Sequence, residues 1–319
     1  MKFFYFLLPF WYPLLEMKDL HILPKKGFLF SNPYVIYQNK EDDYIIHTDI
    51  CPHQGASLSE GWVTKEDKCL TCPYHGFQFY NGTFCKIPQT EKDQKIFQSR
   101  IKMDVYPSYK GKDFLFISDS ENSIPFPFYP KEEYNSSFRG VHGSIIIDTN
   151  YLSVCENLLD MLHISYVHSF GSRQTPLPSS IHFKKINDYH GQSTFFYSPN
   201  PNTISGRIGK VTKVCVENEY ILPTNTITRV YAGDTIKTVF TRSIPLSENK
   251  TLLYWKLYRN FYIHPYFDFL IRYLMEKTIK EDISILNNIY PAFRNGTIKT
   301  KYDITIQEFR KSIDSFLKK

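Results

Sequence analysis

Short apolar runs rich in Tyr, Ile, Val and Phe recur between Gly, Pro, Asn and Asp in the N-terminal part of the chain. Runs of this length, bounded by turn-forming residues, are typical of antiparallel strands. The pattern predicts a small β-sandwich with strands at residues 28–30, 34–37, 44–48, 77–80, 97–105 and 114–117.

The C-terminal part has a different pattern. Residues 151–169 are apolar on nearly every side of a helix, which predicts a buried helix. Alternating strands and turns follow, so we expect a largely antiparallel sheet with strands at 144–147, 226–231, 236–243 and 252–261. Apolar residues at helical spacing then predict helices at 266–289 and 304–317. Helices that flank an antiparallel sheet make this an α+β domain.

Residues 119–136 mix Ser, Pro, Asn and acidic residues, which indicates a linker. We therefore expect an arm and an all-β domain at 1–125 and an α+β domain at 126–319. The arm, at residues 3–15, is almost wholly apolar but contains Pro9 and Pro13 and no small-residue cleavage site. It is shorter than the ~20 apolar residues of a membrane span, so we expect it to pack on the protein or to touch a membrane surface.

Charge and cysteine content narrow the possible functions. The net charge is +6 over 319 residues, and the Lys and Arg residues are not clustered. This excludes a nucleic-acid-binding footprint and leaves either a solvated surface or a docking face for an acidic electron donor. The six cysteines are not the framework of a small disulfide-rich protein. We therefore expect the cytoplasm or another reducing compartment.

Two cysteine motifs lie between predicted strands. Cys51-Pro-His53 is followed, 18 residues later, by Cys72-Pro-Tyr-His75. Two Cys and two His are the ligand set of a Rieske [2Fe–2S] cluster, and the Pro and Gly residues in both motifs favour tight turns. A zinc site is the alternative, because Cys69 and Cys72 form a C-x-x-C. Zinc would leave the paired loops unexplained, so Cys69 is taken as a bystander.

The buried helical segment carries Asp160, His163 and His168, which are costly to bury unless they are paired or bind a metal. On one helix the two imidazoles would point about 140° apart, so we expect a π-bulge or a break between them. Two satisfied core histidines are the alternative. Asp282 lies on the apolar stripe of the second helix and needs a cation, either a metal or a Lys or Arg. Glu281, expected on the wet side, is the fallback ligand.

These motifs resemble those of the Rieske non-haem iron oxygenases. The similarity is strongest to the pheophorbide a oxygenase and chlorophyllide a oxygenase branch, in the segments Trp11-Tyr12-Pro13, Leu58-Ser59-Glu60-Gly61, Gly76-Phe77 and Ile87-Pro88-Gln89. Asp160-x-x-His163-x-x-x-x-His168 matches the iron-binding motif of that family, and the segment around Asp282 resembles the one that supplies its carboxylate ligand. The C-x-x-C near the C-terminus of pheophorbide a oxygenase is absent, because no cysteine follows Cys215.

The resemblance implies a cluster held by Cys51, His53, Cys72 and His75, and Fe(II) held by His163, His168 and Asp282. It also implies a homotrimer in which Asp160 links His163 to the partner subunit's His75. With O2 as co-substrate, we expect monooxygenation of a hydrophobic, ring-containing molecule such as a tetrapyrrole. No G-x-G-x-x-G motif follows a strand, so electrons should come from an external ferredoxin or NAD(P)H-dependent reductase.

Two other interpretations of the sequence stay open. One is a sterol or steroid hydroxylase or desaturase of the same family. The other is a non-catalytic Rieske electron carrier, for which the second domain would not need to retain metal ligands.

Overall fold

The computed structural model describes residues 9–87, 101–171, 173, 177–197, 211, 213–290 and 296–317. The chain forms two compact units, Met1–Pro127 and Phe128–Lys319. The division falls within the stretch of Ser, Pro, Asn and acidic residues at 119–136. None of the described helices is both long and apolar enough to cross a membrane.

The described residues of the first unit form three small antiparallel sheets, with strand orders β1-β10-β9, β2-β3-β4 and β5-β6-β7-β8. The strands are β1 (Tyr12–Glu16), β2 (Lys25–Leu29), β3 (Asn32–Gln38), β4 (Tyr44–Thr48), β5 (Trp62–Val63), β6 (Leu70–Thr71), β7 (Gln78–Tyr80), β8 (Thr83–Lys86), β9 (Ser108–Lys110) and β10 (Phe114–Ile117). These strands confirm the predicted all-β character. Of the strand expected at 97–105, residues 97–100 lie outside the described residues, and Lys102 makes a single bridge to Thr83.

The apolar arm contributes its described part to this unit. Phe10, Trp11 and Tyr12 are buried, and β1 pairs antiparallel with β10. This part of the arm therefore packs on the protein as a strand. Residues 1–8 of the predicted arm lie outside the described residues.

The second unit contains a seven-stranded antiparallel sheet of order β11-β17-β16-β15-β14-β13-β12. Its strands are β11 (Arg139–Ile147), β12 (Ser180–Asn187), β13 (His190–Tyr197), β14 (Val214–Ile221), β15 (Asn225–Ala232), β16 (Thr235–Ser247) and β17 (Lys250–Arg259). The α-helices among its described residues are α1 (Tyr151–Leu159), α2 (Ile164–Val167), α3 (Phe267–Leu286) and α4 (Ile304–Leu317). The predicted α+β class is confirmed.

The single buried helix predicted at 151–169 is wrong. Asn150 caps α1 by accepting a hydrogen bond from the Ser153 N–H at 2.9 Å, and α1 ends at Leu159. Asp160 is extended (ψ 123°), and its Oδ1 accepts from the Leu162 N–H at 2.8 Å. The chain therefore breaks before His163, not between the two histidines, and the short helix α2 lies between them.

Helices α1 and α3 pack on one face of this sheet through a core that includes Val154, Trp255, Ile271 and Ile279. The segment that precedes β11 covers the opposite face, where Glu132 binds the buried guanidinium of Arg229. The predicted iron ligands of this unit, His163, His168 and Asp282, lie on or next to α2 and α3.

Candidate metal centres

Cys51 and Cys72 begin two loops of the same conformation. In the first loop the Gly55 N–H donates to the Cys51 carbonyl at 2.9 Å, and the Cys51 N–H donates to the Ala56 carbonyl at 2.8 Å. In the second loop the Gly76 N–H donates to the Cys72 carbonyl at 3.0 Å, and the Cys72 N–H donates to the Phe77 carbonyl at 2.8 Å. Two separate stretches of sequence thus fold into matching turns, each led by a cysteine.

Gly55 and Gly76 have φ angles of 76° and 71°. Side-chain-bearing residues adopt this left-handed region only at a cost, whereas glycine does so freely. At Gly55 an added Cβ would meet no atom within 4 Å. The glycine is therefore needed there for backbone conformation, not for space.

The four predicted cluster ligands lie in these two loops. Cys51 and Cys72 are buried, while His53 is exposed and His75 half-buried, with ring centroids 4.7 Å apart. Burial, and then the neighbouring Cys72 thiol, raises the pKa of Cys51 to about 11. Coordination would have to deprotonate this thiol, which a bound iron does.

The residue pattern fits two irons better than one zinc ion. Among the described residues, no three of the Cys and His side chains of this unit place ligand atoms within 4.8 Å of one another, as a single tetrahedral ion requires. Ligands divided between two irons do not need to converge in this way. The thiol of Cys69 lies beside Cys85 of β8 and takes no part in the loops.

Sequence reasoning missed the buried Asp49, whose side chain holds the first loop closed. Asp49 is buried and accepts hydrogen bonds from Ser57 Oγ at 2.5 Å and from the Ser59 N–H at 2.7 Å, and Lys26 Nζ lies 3.2 Å from it. This carboxylate ties the start of the Cys51 loop to its end. An acidic residue at the end of an apolar strand, two positions before a predicted ligand, was the available signal.

The second centre brings His163, His168 and Asp282 together. The Nε2 atoms of the two histidines lie 3.3 Å apart. Asp282 Oδ1 lies 3.2 Å from His163 Nε2 and 3.5 Å from His168 Nε2. Two ligands with bonds of about 2.1 Å lie about 3.0 Å apart at a right angle and about 3.4 Å apart at a tetrahedral angle. The three atoms therefore have the spacing that a single metal ion requires.

Asp282 lies on the buried stripe of α3, between Ile279 and Leu286, as predicted. Its Oδ1 is buried and has no hydrogen bond among the described residues. A buried carboxylate oxygen without a hydrogen bond is costly. Without a metal, a proton on His163, whose Nε2 lies 3.2 Å away, offsets that cost, and a metal ion between the carboxylate and the two imidazoles would take the place of this proton. The donor set of two imidazoles and one carboxylate is the one that non-haem Fe(II) prefers.

Asp160 is close to His163 but not hydrogen bonded to it, since Oδ2 lies 3.7 Å from Nδ1. Burial disfavours the charged form of His163, but the carboxylates of Asp160 and Asp282 outweigh burial and raise its pKa to about 9. Burial, and then the proximity of His163, lowers the pKa of His168.

The expectation that Glu281 lies on the wet side is wrong. Glu281 is half-buried, and its Oε2 lies 3.1 Å from His168 Nδ1, the ring nitrogen that does not face Asp282. The same oxygen accepts from the Ser169 N–H at 3.4 Å, and Phe170 stacks on the imidazole with centroids 5.0 Å apart. Glu281 is thus placed to orient His168 rather than to bind the metal beside it.

Two further polar residues, which sequence reasoning also missed, hold the backbone on either side of Asp160. The fully buried Asn218 of β14 donates to the Leu158 carbonyl at 3.2 Å, and the Tyr197 hydroxyl donates to the Met161 carbonyl at 3.4 Å. A cavity of about 330 Å³ is lined by residues of α2 together with His168 and Glu281.

Two known protein families match this chain, one within each of its two units. A model of the Rieske [2Fe-2S] domain matches residues 10–108. A model of the vanillate O-demethylase oxygenase C-terminal domain matches residues 147–319, which is more than half of the chain.

Curated relatives match over part of their length. Pheophorbide a oxygenase of Oryza sativa subsp. japonica is 27% identical over 201 residues, which are 58% of this chain and 38% of that protein. The oxygenase component of dicamba O-demethylase of Stenotrophomonas maltophilia is 25% identical over 161 residues, which are 50% of this chain and 46% of that protein. The matches thus span less than half the length of either relative.

Solved structures share the fold over nearly the whole chain. Dicamba monooxygenase bound to 3,6-dichlorosalicylic acid has a TM-score of 0.78 and 20% identity, with 98% of both chains covered. NdmA of Pseudomonas putida CBB5 with caffeine has a TM-score of 0.77 and 19% identity, with 95% of this chain and 88% of that chain covered. Taken with the two domain matches, this chain belongs to the Rieske non-haem iron oxygenase family.

Proposed function

We propose that this protein is a monooxygenase that uses O2 and externally supplied electrons to hydroxylate a hydrophobic, ring-containing molecule such as a tetrapyrrole. The observation that carries the proposal is the arrangement of His163, His168 and Asp282, whose ligand atoms lie 3.2 to 3.5 Å apart. Fe(II) bound by such a set retains open coordination positions at which O2 can be activated.

In this proposal the first unit supplies electrons. Cys51 and Cys72 hold one iron of the cluster, and His53 and His75 hold the other. The exposed His53 and the half-buried His75 place the histidine end of the loops toward solvent, where another protein can approach. Asp49 keeps the first loop closed through its bonds to the serines that follow it.

In the second unit the chain orients the metal ligands. Glu281 accepts a hydrogen bond from Nδ1 of His168, and this bond selects the tautomer whose Nε2 is free to coordinate. Asp160 Oδ2 lies 3.7 Å from His163 Nδ1, and a small rotation of the Asp160 side chain would let it accept a hydrogen bond from this nitrogen. Because Asp160 Oδ1 is held by the Leu162 N–H, Oδ2 is the oxygen left to move.

The partners follow from the same site. We propose a homotrimer in which Asp160 connects His163 with His75 of the partner subunit. A ferredoxin or an NAD(P)H-dependent reductase supplies its electrons, and the protein works in a reducing compartment. The preformed ligand triangle favours an oxygenase over a simple electron carrier, because a carrier has no use for a second metal site.

The test is an electron paramagnetic resonance spectrum of the dithionite-reduced protein, with total iron measured on the same sample. The oxygenase should give the spectrum of a His-ligated cluster and about three irons per chain. His168→Ala should retain that spectrum with about two irons. Two irons in the unsubstituted protein would favour the carrier, and zinc without a spectrum would contradict the proposal at both centres.

A further inference from the structure

Lys237 lies on β16, on the side of the sheet that faces the candidate iron site. Its Nζ lies 6.0 Å from the centroid of the Phe170 ring. Phe170 in turn stacks on His168 at 5.0 Å, with 15° between the ring planes. The ammonium group and the imidazole are thus separated by no more than the sum of these two distances.

A second observation places the same part of the sheet beside the metal-site segment. Val230 of β15 is the cross-strand partner of Lys237, so the two side chains share a face. Val230 packs in a cluster with Met161 and Ile164, the residues two before and one after His163. Lys237 and its neighbour therefore form part of a wall next to the iron ligands.

Among the residues of the second unit that the structure describes, no acidic side chain pairs with the ammonium group of Lys237. Every Asp and Glu of residues 128–319 lies in the described ranges, and within these ranges none forms an ion pair or a hydrogen bond with Lys237. The side chain is half-buried, and burial lowers its pKa. An amine left without an acid in such surroundings is costly to charge, and a bound anion would offset that cost.

We propose that Lys237 anchors a carboxylate of the substrate, whose apolar ring portion lies against Phe170 and Val230. The inference rests on the oxygenase function proposed above and narrows its substrate class to hydrophobic ring compounds that carry an acidic group. A carboxylate fits better than a phosphate, because removing a dianion from water among apolar side chains costs more than removing a monoanion. Held at that end, the ring is oriented so that the same carbon faces the iron ligands in each turnover.

The test compares acids with their neutral esters in binding to the iron-loaded protein. The probes are 1-naphthoate, pyrene-1-butyrate and pheophorbide a, each paired with its methyl ester, and binding is followed by fluorescence without turnover. At least one acid should bind more tightly than its ester. Lys237→Met should weaken that acid roughly 10- to 100-fold, the worth of one charged hydrogen bond, and leave its ester unchanged.

Two further variants separate charge from packing. Lys237→Arg keeps the cation and should retain the preference for acids, and Lys250→Met, at an exposed lysine of β17, should not alter it. Failure of every acid to bind, equal binding of acid and ester, or equal loss of both in Lys237→Met would overturn the proposal. Iron is measured on the same samples. If the binding test fails and only two irons per chain are found, the oxygenase proposal fails with it. If the binding test fails and three irons are found, only the lysine anchor is overturned.

Discussion

Glu281 Oε2 lies 3.1 Å from His168 Nδ1, while the other ring nitrogen of His168 lies 3.5 Å from Asp282 Oδ1. Two consecutive residues of α3 thus approach opposite sides of one imidazole. A histidine that ligates a metal with one nitrogen usually donates a hydrogen bond through the other, which fixes the ring and raises its basicity. The pair Glu281-Asp282 provides both contacts from one turn of helix.

Loss of the Glu281 carboxylate should weaken metal binding without removing a ligand. Glu281→Ala should lower the affinity for Co(II), measured by optical titration of the apoprotein, by roughly 10- to 100-fold. Glu281→Gln, whose amide oxygen can still accept the hydrogen bond, should lose less. Glu276→Ala, at an exposed position of the same helix, is the control, and an unchanged affinity in Glu281→Ala would show that His168 is oriented by other groups.

Asp160 should be needed for turnover but not for either metal. Asp160→Ala removes the only carboxylate beside His163 Nδ1 among the described residues and leaves His163, His168 and Asp282 in place. We expect about three irons per chain, a cluster that dithionite still reduces, and loss of substrate oxidation. Asp282→Ala should instead reduce the iron content to about two. Normal turnover in Asp160→Ala would exclude the electron-transfer link to the partner subunit's His75.

The sequence allowed the positions of the candidate metal-binding side chains to be predicted better than their surroundings. Asp282 could be singled out because an acid on the apolar stripe of a helix conflicts with its neighbours, and the structure places it between Ile279 and Leu286 on that stripe. The paired Cys-Pro motifs likewise indicated two matching turns. The metal ligands themselves stay predictions until iron is measured.

The surroundings depend on contacts that a pattern does not contain. Helical phase predicted that Glu281 faces solvent. The pattern could not show its contact with His168, because His168 lies 113 residues earlier in the chain. The break at Asp160 carries no Gly or Pro signal and results from a side-chain bond to the Leu162 N–H. Lys237 lies in an ordinary strand sequence, and the absence of an acidic partner among the described residues becomes visible only when the opposing residues are known.

The C-terminal helix should stabilise the helix that leads into the candidate iron site. Arg310 of α4 forms a two-fold contact with the buried Glu156 of α1, with N–O distances of 2.8 and 2.9 Å. Arg310→Ala leaves that carboxylate without its guanidinium partner, so the free energy of unfolding should fall by about 2 kcal/mol. Urea unfolding followed by circular dichroism measures the change. Lys311→Ala, at an exposed lysine of the same helix, should stay within about 0.5 kcal/mol, and an equal loss there would indicate a general effect on α4.

His47 should make the first unit less stable in mild acid. The ring is fully buried in β4. Its Nδ1–H donates to the Thr48 carbonyl at 3.1 Å, and its Nε2 has no hydrogen-bond partner among the described residues. Burial lowers the pKa of His47 from 6.5 to about 4, so the unfolded chain binds more protons between these two pH values.

Stability from the neutral ring is therefore fully present above about pH 6.5 and is lost as the pH falls toward 4. Between pH 7 and pH 5 the loss should be about 2 kcal/mol, measured by urea unfolding followed through tryptophan fluorescence. His47→Phe can retain the edge-on contact with Tyr37 and cannot be protonated, so its stability should change less over the same interval. His21→Gln, at an exposed histidine of the same unit, should keep the full dependence. The same pH dependence in His47→Phe as in the unsubstituted protein would mean that another group titrates.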